Sequence, residues 1–374
     1  MPRCPLSIYF FSVYRTLVMW ACMLQLLNFT SNQKRNKNIH TGKRYGNFEV
    51  FLWTRRNVYH LFVIGLVPVI VYQCFHVRFI ALPWTVVALL GTATAFIVGF
   101  RNSQTYSRTW EARQIWGSIV NSSRTWAIQC RDMIDDPTAV KNLVYRHFAW
   151  LTALRYAMRE PRGWETMTQI NNREFQEKTF HVPEHTSPLA DELKKYLNET
   201  ECAKILSTKN KAAQLLALQG QSLKSLHASG ALDVMTFIEL ERTLKDLTDA
   251  QGRSERIKNF PYPRQFATVN KILVKLFVVL LPFCMLNEFD ELNTATAGFM
   301  NGHMVWCVVP FSMLISWVFT SLDQIGESTE NPFEGNANDV PISQISRNIE
   351  IDLREMLGET DLPPALQPEN NIIL

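Results

Sequence analysis

Apolar residues fall into a few long runs, separated by stretches in which apolar and polar positions alternate with helical spacing. A helix needs about 20 mostly apolar residues to cross a bilayer. Four runs qualify. The first is Leu61 to Phe79, LFVIGLVPVIVYQCFHVRF. The second, Ile80 to Phe100, IALPWTVVALLGTATAFIVGF, carries no charge, and Arg78 and Pro83 predict a short turn between the two. The third runs from about Ile272 to Phe289, with Lys275 near its start, where a long charged side chain can snorkel to the interface. The fourth, His303 to Phe319, leads into Ser-Leu-Asp.

Residues 101 to 264 read as helix throughout, a plain helical bundle. WEARQIWGSIVNSSRTWAIQCRDMI has apolar residues at 115, 116, 119, 120, 126 and 128, with polar residues between. VKNLVYRHFAWLTALRYAMRE is similar. AAQLLALQGQSLKSLHASGALD ends at a Gly, and VMTFIELERTLKDLTDAQGRSERI is amphipathic with a Gly stop near 252. Residues 171 to 200 are the most polar, and Pro183 and Pro188 mark a helix-loop-helix linker. No β alternation competes. The fold class is an all-α membrane protein, with four transmembrane helices flanking a helical domain.

Basic residues set the orientation, because Lys and Arg concentrate on the cytoplasmic side. Arg55 and Arg56 precede the first span, Arg101 follows the second, and Lys258, Arg264 and Lys271 precede the third. The loop NEFDELNTATAGFMNG between the last two spans has no Lys or Arg. Two hairpins dipping in and out put both termini and the central domain in the cytosol. The expected location is a plasma or inner cell membrane, multi-pass, with Arg78 alone on the outer side. Residues 7 to 29 form another apolar stretch, interrupted by Arg15 and followed by Lys34, Arg35, Lys37, Lys43 and Arg44. It reads as a fifth, N-out span, as a signal-like segment lacking a small-residue cleavage site, or as a dispensable upstream extension.

Composition changes little. A net charge of +4 over 374 residues is too small to argue for nucleic acid. Seven scattered cysteines, an odd count with no pair at CxxC spacing, support neither a disulfide framework nor a zinc site. No nucleophile elbow, HExxH, phosphate-binding loop or GxGxxG is present, so neither an enzyme nor a cofactor is expected. His181 and His185 have metal-ligand spacing, but Pro183 between them argues against a helix, and no metal is expected. Glu239 and Glu241 fall on opposite helix faces and read as solvated.

The second span has more pattern than apolarity requires. Thr92, Phe96 and Phe100 recur every four residues and form one stripe. Gly91, Ala95 and Gly99 form another, displaced by about 100°. Small stripes let helices approach closely in membranes. If several copies surround an axis, the phenylalanines become apolar rings, which can gate by dewetting. The plainer alternative is that they face lipid or neighbouring helices. Arg101, Arg108 and Glu111 then crowd the membrane exit in RNSQTYSRTWEAR. They read as pore-mouth charges, or as flanking charges with an Arg108–Glu111 pair.

Residues 82–124, LPWTVVALLGTATAFIVGFRNSQTYSRTWEARQIWGSIVNSSR, resemble the bestrophin family in its bacterial branch. IKNFPYPRQFATVNKILVKLFVVLLPF, residues 257–283, and ENPFEGNANDVPI, residues 330–342, resemble its later blocks. The likeness runs from about His40 to about residue 357, omitting the apolar N-terminal stretch. It places Ile39 where an initiator residue would stand. It implies a homopentamer in the bilayer around one axial pore, with the neck at Thr92, Phe96 and Phe100. Family members usually carry three bulky apolar residues there, so Thr92 implies a wetter outer ring. A second constriction is expected near Ala212. Animal members have a calcium clasp after the fourth span. Here only Glu330, Glu334 and Asp339 are acidic, so calcium gating is not expected, and Asn331, Pro332 and Phe333 are expected to dock the tail onto a neighbouring subunit.

The resulting layout is an extension over 1–45, spans over 46–100, a cytosolic domain over 101–264, spans over 265–325, and a tail over 326–374. The expected function is a channel for small inorganic ions, chloride foremost. The alternatives are a monovalent cation channel of the same fold and a non-conducting scaffold whose bundle binds a partner.

Overall fold

The computed structural model describes residues 47–166, 172–173, 176, 179–295, 301–369 and 372–374. The apolar stretch at 7–29 and Ile39 lie outside them. Among the described residues the α-helices with defined bounds are, in chain order, α1 (Asn47–Cys74), α2 (Trp84–Met133), α3 (Pro137–Arg159), α4 (Pro183–Thr186), α5 (Leu189–Leu193), α6 (Glu199–Leu206), α7 (Lys211–Ala228), α8 (Val234–Asn259), α9 (Arg264–Ala295), α10 (Val308–Ser328) and α11 (Ile342–Met356). No strand occurs among the described residues; an isolated bridge joins Glu369 and Ile372.

Among the described residues, four segments are long and apolar enough to span a membrane: Trp53–Cys74, Arg78–Met133, Arg264–Asn293 and Met304–Ser328. Their apolar stretches are those expected, but the helices run past them. The first ends at Cys74, short of Phe79, because the chain turns at His76, whose φ is +56°. A 3-10 turn at Arg78–Ile80 follows, and Leu82 N–H donates to the Phe283 carbonyl (3.2 Å) before α2 begins beyond Pro83.

The chain divides into two compact units. The first holds the described residues up to Gln104 together with Tyr262–Glu327. Val69, Tyr72, Val87, Phe277, Leu281, Leu286 and Val309 form one of its apolar cores. Val58, Leu61, Val98, Val274, Val278 and Met313 form another. Trp317 Nε1 donates to Thr54 Oγ1 (3.1 Å), satisfying an indole that would otherwise be stranded.

The second unit comprises Thr105–Pro261 and Ser328–Leu374. Four of its helices, α3, α6, α7 and α8, start at side-chain caps. Asp136 accepts from Thr138 N–H with Pro137 in the first turn, and Asn198, Asn210 and Asp233 cap α6, α7 and α8. α7 stops at the expected glycine, Gly230, which takes φ +80° as only glycine does readily. α8 does not stop at Gly252 but continues to Asn259, because Ser254 and Ile257 on its next turn are buried. Tertiary burial here outweighs the ~1 kcal/mol helix penalty of one glycine.

The core of this unit is built on Trp116, Trp126, Trp150, Phe148, Leu143 and Leu154. Ile115, Trp116, Ile119 and Trp126 are buried as the spacing predicts, whereas Ile128 is 42% exposed. The segment after α10 supplies Phe333, Ile342, Ile349 and Leu353 to the same core. The presumed tail is therefore a structural part of the second unit.

Candidate functional site

α2 contributes to both units, so its register can be read over its whole length. In the first unit its inward stripe is Val87, Gly91, Thr94, Val98 and Arg101, all buried. At Gly91 the ring of Phe277 closes on the backbone. A Cβ there would lie 2.7 Å from Phe277 Cε2, and Phe277 is itself wedged 4.6 Å from Phe319, ring centre to ring centre. Thr94 returns its hydroxyl to the Leu90 carbonyl (2.8 Å) and so adds no stranded donor to the interior.

Thr92, Phe96 and Phe100 lie on the opposite side. Phe96 is 75% exposed and Phe100 48%. Thr92 is exposed too, its hydroxyl bonded to the Ala88 carbonyl (3.0 Å). Of the small residues, Gly91 meets another helix of the chain, while Ala95 and Gly99 are exposed and Gly99 has nothing within 4 Å of its missing Cβ. Close approach within the chain thus involves Gly91 only.

The crowded charges divide three ways. Arg101 is 4% exposed, with Nη1 2.6 Å from Asp323 Oδ1 of α10. Arg108 does not form the expected pair with Glu111. Its guanidinium donates to the carbonyls of Ile257 and Phe260 at the end of α8 and to that of Glu330 (2.9 Å). The last carbonyls of a helix lack intrahelical donors, and an arginine supplies them. Glu111 pairs instead with Arg256.

The docking expected of Asn331, Pro332 and Phe333 occurs, but onto their own chain. All three are buried, and Phe333 is 1% exposed with its ring centre 6.4 Å from that of Trp116. A phenylalanine enclosed by its own bundle is not free to enter a neighbour. Ala212, near the expected second constriction, is buried in the same core. His181 and His185 part company: His181 Nδ1 lies 3.0 Å from Glu369, and His185 Nε2 3.4 Å from the Arg159 carbonyl.

Sequence reasoning missed a buried polar network after α10. Arg159, 1% exposed, stands 3.7 Å from Glu184 and 3.5 Å from Asp339. Arg155 also reaches Glu184 (3.3 Å), and Lys258 pairs with Glu165. Asp339 accepts from Gly335 N–H (2.7 Å) and Asn336 N–H (2.9 Å), while Glu334 accepts from Thr166 N–H (2.8 Å) and Asn336 Nδ2 (3.0 Å). Burial raises both carboxyls well above the usual carboxylate range, and Asp339 raises Glu334 further. The other residue missed is Asp323, a lone acid at the end of an apolar span; its signal was the lone arginine at the end of another.

These helices match known proteins. A profile described as Bacterial/Fungal Bestrophin protein fits residues 49–355. The chain belongs to the bacterial and fungal bestrophin family. Among curated bestrophin relatives, the voltage-dependent anion channel-forming protein YneE of Salmonella typhimurium is 28% identical over 299 residues, 80% of this chain and 84% of that one. The protein of that name from Escherichia coli K12 is 27% identical over 301 residues, with the same coverage. A solved bacterial bestrophin homolog from Klebsiella pneumoniae superposes with a TM-score of 0.67 at 25% identity, over 82% of this chain and 98% of that one.

Proposed function

We propose that this bestrophin is one subunit of a pentameric channel for small inorganic ions, chloride foremost, whose neck is lined by Thr92, Phe96 and Phe100. The supporting observation is the register of α2. Its inward face is committed to Phe277, Val274 and Asp323, which leaves the phenylalanine stripe turned outward along an uncharged span. Five such stripes around an axis form stacked apolar rings, wide enough when wetted to pass ions and resistive when dry. Phenyl edges carry partial positive charge, so a ring presented edge-on tolerates an anion. The relatives named as anion channel-forming proteins support the same reading. The positive-inside balance supports a cytosolic second unit and cytosolic chain ends.

A second reading is a monovalent cation channel of the same architecture. It is favoured by Glu288 and Glu291, both exposed toward the end of α9 that the topology places outside. Acidic residues at a mouth concentrate cations. Reversal potentials of the purified protein in planar bilayers under a chloride gradient decide between them. The expected reversal lies near the chloride potential. A value near the cation potential sinks the anion reading, and absence of single-channel current sinks both.

A further inference from the structure

Three helices of the first unit meet around Arg101. Its Nη1 is 2.6 Å from Asp323 Oδ1 on α10, and the same oxygen accepts from Asn270 Nδ2 on α9 at 2.5 Å. The next residue, Asn102, donates through Nδ2 to the Leu322 carbonyl at 3.1 Å. Gly326 lies one turn further along α10, and the close approach depends on its missing side chain. A Cβ there would stand 2.2 Å from Asn102 Oδ1 and 3.7 Å from Arg101 Cδ. Two consecutive side chains of α2 are therefore held by α10, one by charge and one by a backbone carbonyl.

Arg101 directly follows Phe100. Each residue advances a helix by about 100°, so Arg101 sits about 100° round from Phe100 and about 140° from Phe96. Fixing the azimuth of Arg101 fixes theirs. The apolar contacts of Val98 are non-directional and tolerate a small roll of the helix, because hydrophobic burial has no preferred bearing. An ion pair buried against three helices does not tolerate it. Rolling α2 would strand a guanidinium and a carboxylate without partners, which is far costlier than loosening apolar contacts.

We propose that Asp323, Asn270 and Gly326 are positioning residues for the neck. They lock the rotation of α2 and so the direction in which Phe96 and Phe100 point. This rests on the neck reading above, and the test separates the two. Open probability is measured in planar bilayers for Phe96→Ala with Phe100→Ala, for Asp323→Asn, for Asp323→Asn in that double-alanine background, and for Gly326→Ala. The amount of assembled protein is followed in parallel by size-exclusion chromatography. Asp323→Asn keeps the shape of the side chain and removes its charge; Gly326→Ala displaces Asn102 and leaves both charges of the ion pair in place. Both are expected to raise open probability several-fold at unchanged assembly, and Asp323→Glu to restore it. Asp323→Asn is expected to add nothing once the phenylalanines are gone.

Unchanged currents in the double-alanine variant overturn the neck reading, and this proposal with it. A raised current there, with wild-type gating in Asp323→Asn and Gly326→Ala, overturns the positioning role alone. If one of these two variants fails to assemble, the other decides. Failure of both also overturns the proposal, since the cluster would then hold the subunit together rather than aim the rings.

Discussion

At the scale of single residues, the second unit carries two kinds of buried titratable group with opposite consequences. Glu334 and Asp339 sit in a network with Glu165, Glu184, Arg155, Arg159 and Lys258, with His185 beside Arg159. Among the described residues four carboxyls and three cations make up these contacts, and burial raises both carboxyls of the pair. A carboxyl whose folded pKa is raised stabilises the fold fully below its unfolded value, ordinarily about 4.5 for Glu, and that contribution is lost as pH rises through the folded value. His147 acts the other way. Burial pushes its imidazole down from 6.5 to about 3, so its contribution is present above 6.5 and lost as pH falls toward 3. Of these two kinds of group, the carboxyl pair is the one that titrates above pH 6.5. Thermal unfolding of the detergent-solubilised protein should therefore show a melting temperature that falls as pH rises from 6.5. Glu334→Gln should flatten that slope. An unchanged slope would mean that the pair ionises as freely in the fold as in the open chain.

The scale of elements is where α2 matters most. Its buried positions recur with helical spacing from Val87 through Gly91, Thr94, Val98, Arg101, Thr105, Thr109 and Ala112 to Ile115. One unbroken helix thus supplies an inward face to each unit. Gly91→Ala would place a methyl group 2.7 Å from the Phe277 ring, which Phe319 keeps from retreating. Overpacking of this kind costs about 1–3 kcal/mol. The expected result is a lower melting temperature, with the outward stripe unaltered. Gly99→Ala has open space within the chain and should leave the subunit's own packing intact. Loss of assembly in Gly99→Ala would place that glycine at a contact between subunits, as the small stripe suggests.

For the whole molecule, the proposal is a ring of identical subunits, since one outward stripe encloses nothing. Intact mass measurement of the detergent-solubilised complex is expected to give five copies of the 43.2 kDa chain. Any other stoichiometry would change the radius of the neck and remove the basis for assigning its rings. The two units differ in how they stay folded. The first rests on apolar cores with isolated polar ties at Arg101 and Trp317. The second combines an aromatic core with a buried charge network, drawing on chain segments more than 150 residues apart, as when Arg159 meets Asp339.

What was legible without a structure was local. Four apolar runs, their turn at Arg78 to Pro83 and the phenylalanine stripe follow from spacing, because helical periodicity and bilayer thickness act over neighbouring residues. Charges were legible as present but not as paired. Arg108 was expected to meet Glu111 three residues on, yet it serves carbonyls 149 and 152 positions away. Phe333 was expected outside the subunit and lies inside its core. Gly252 reads as a stop, and burial of the next turn overrides it. In each case the deciding partner lies far along the chain, and only tertiary packing sets which distant groups meet. The stripe of Thr92, Phe96 and Phe100 is therefore a property of the sequence, while its direction is a property of the fold, held where Arg101 finds Asp323.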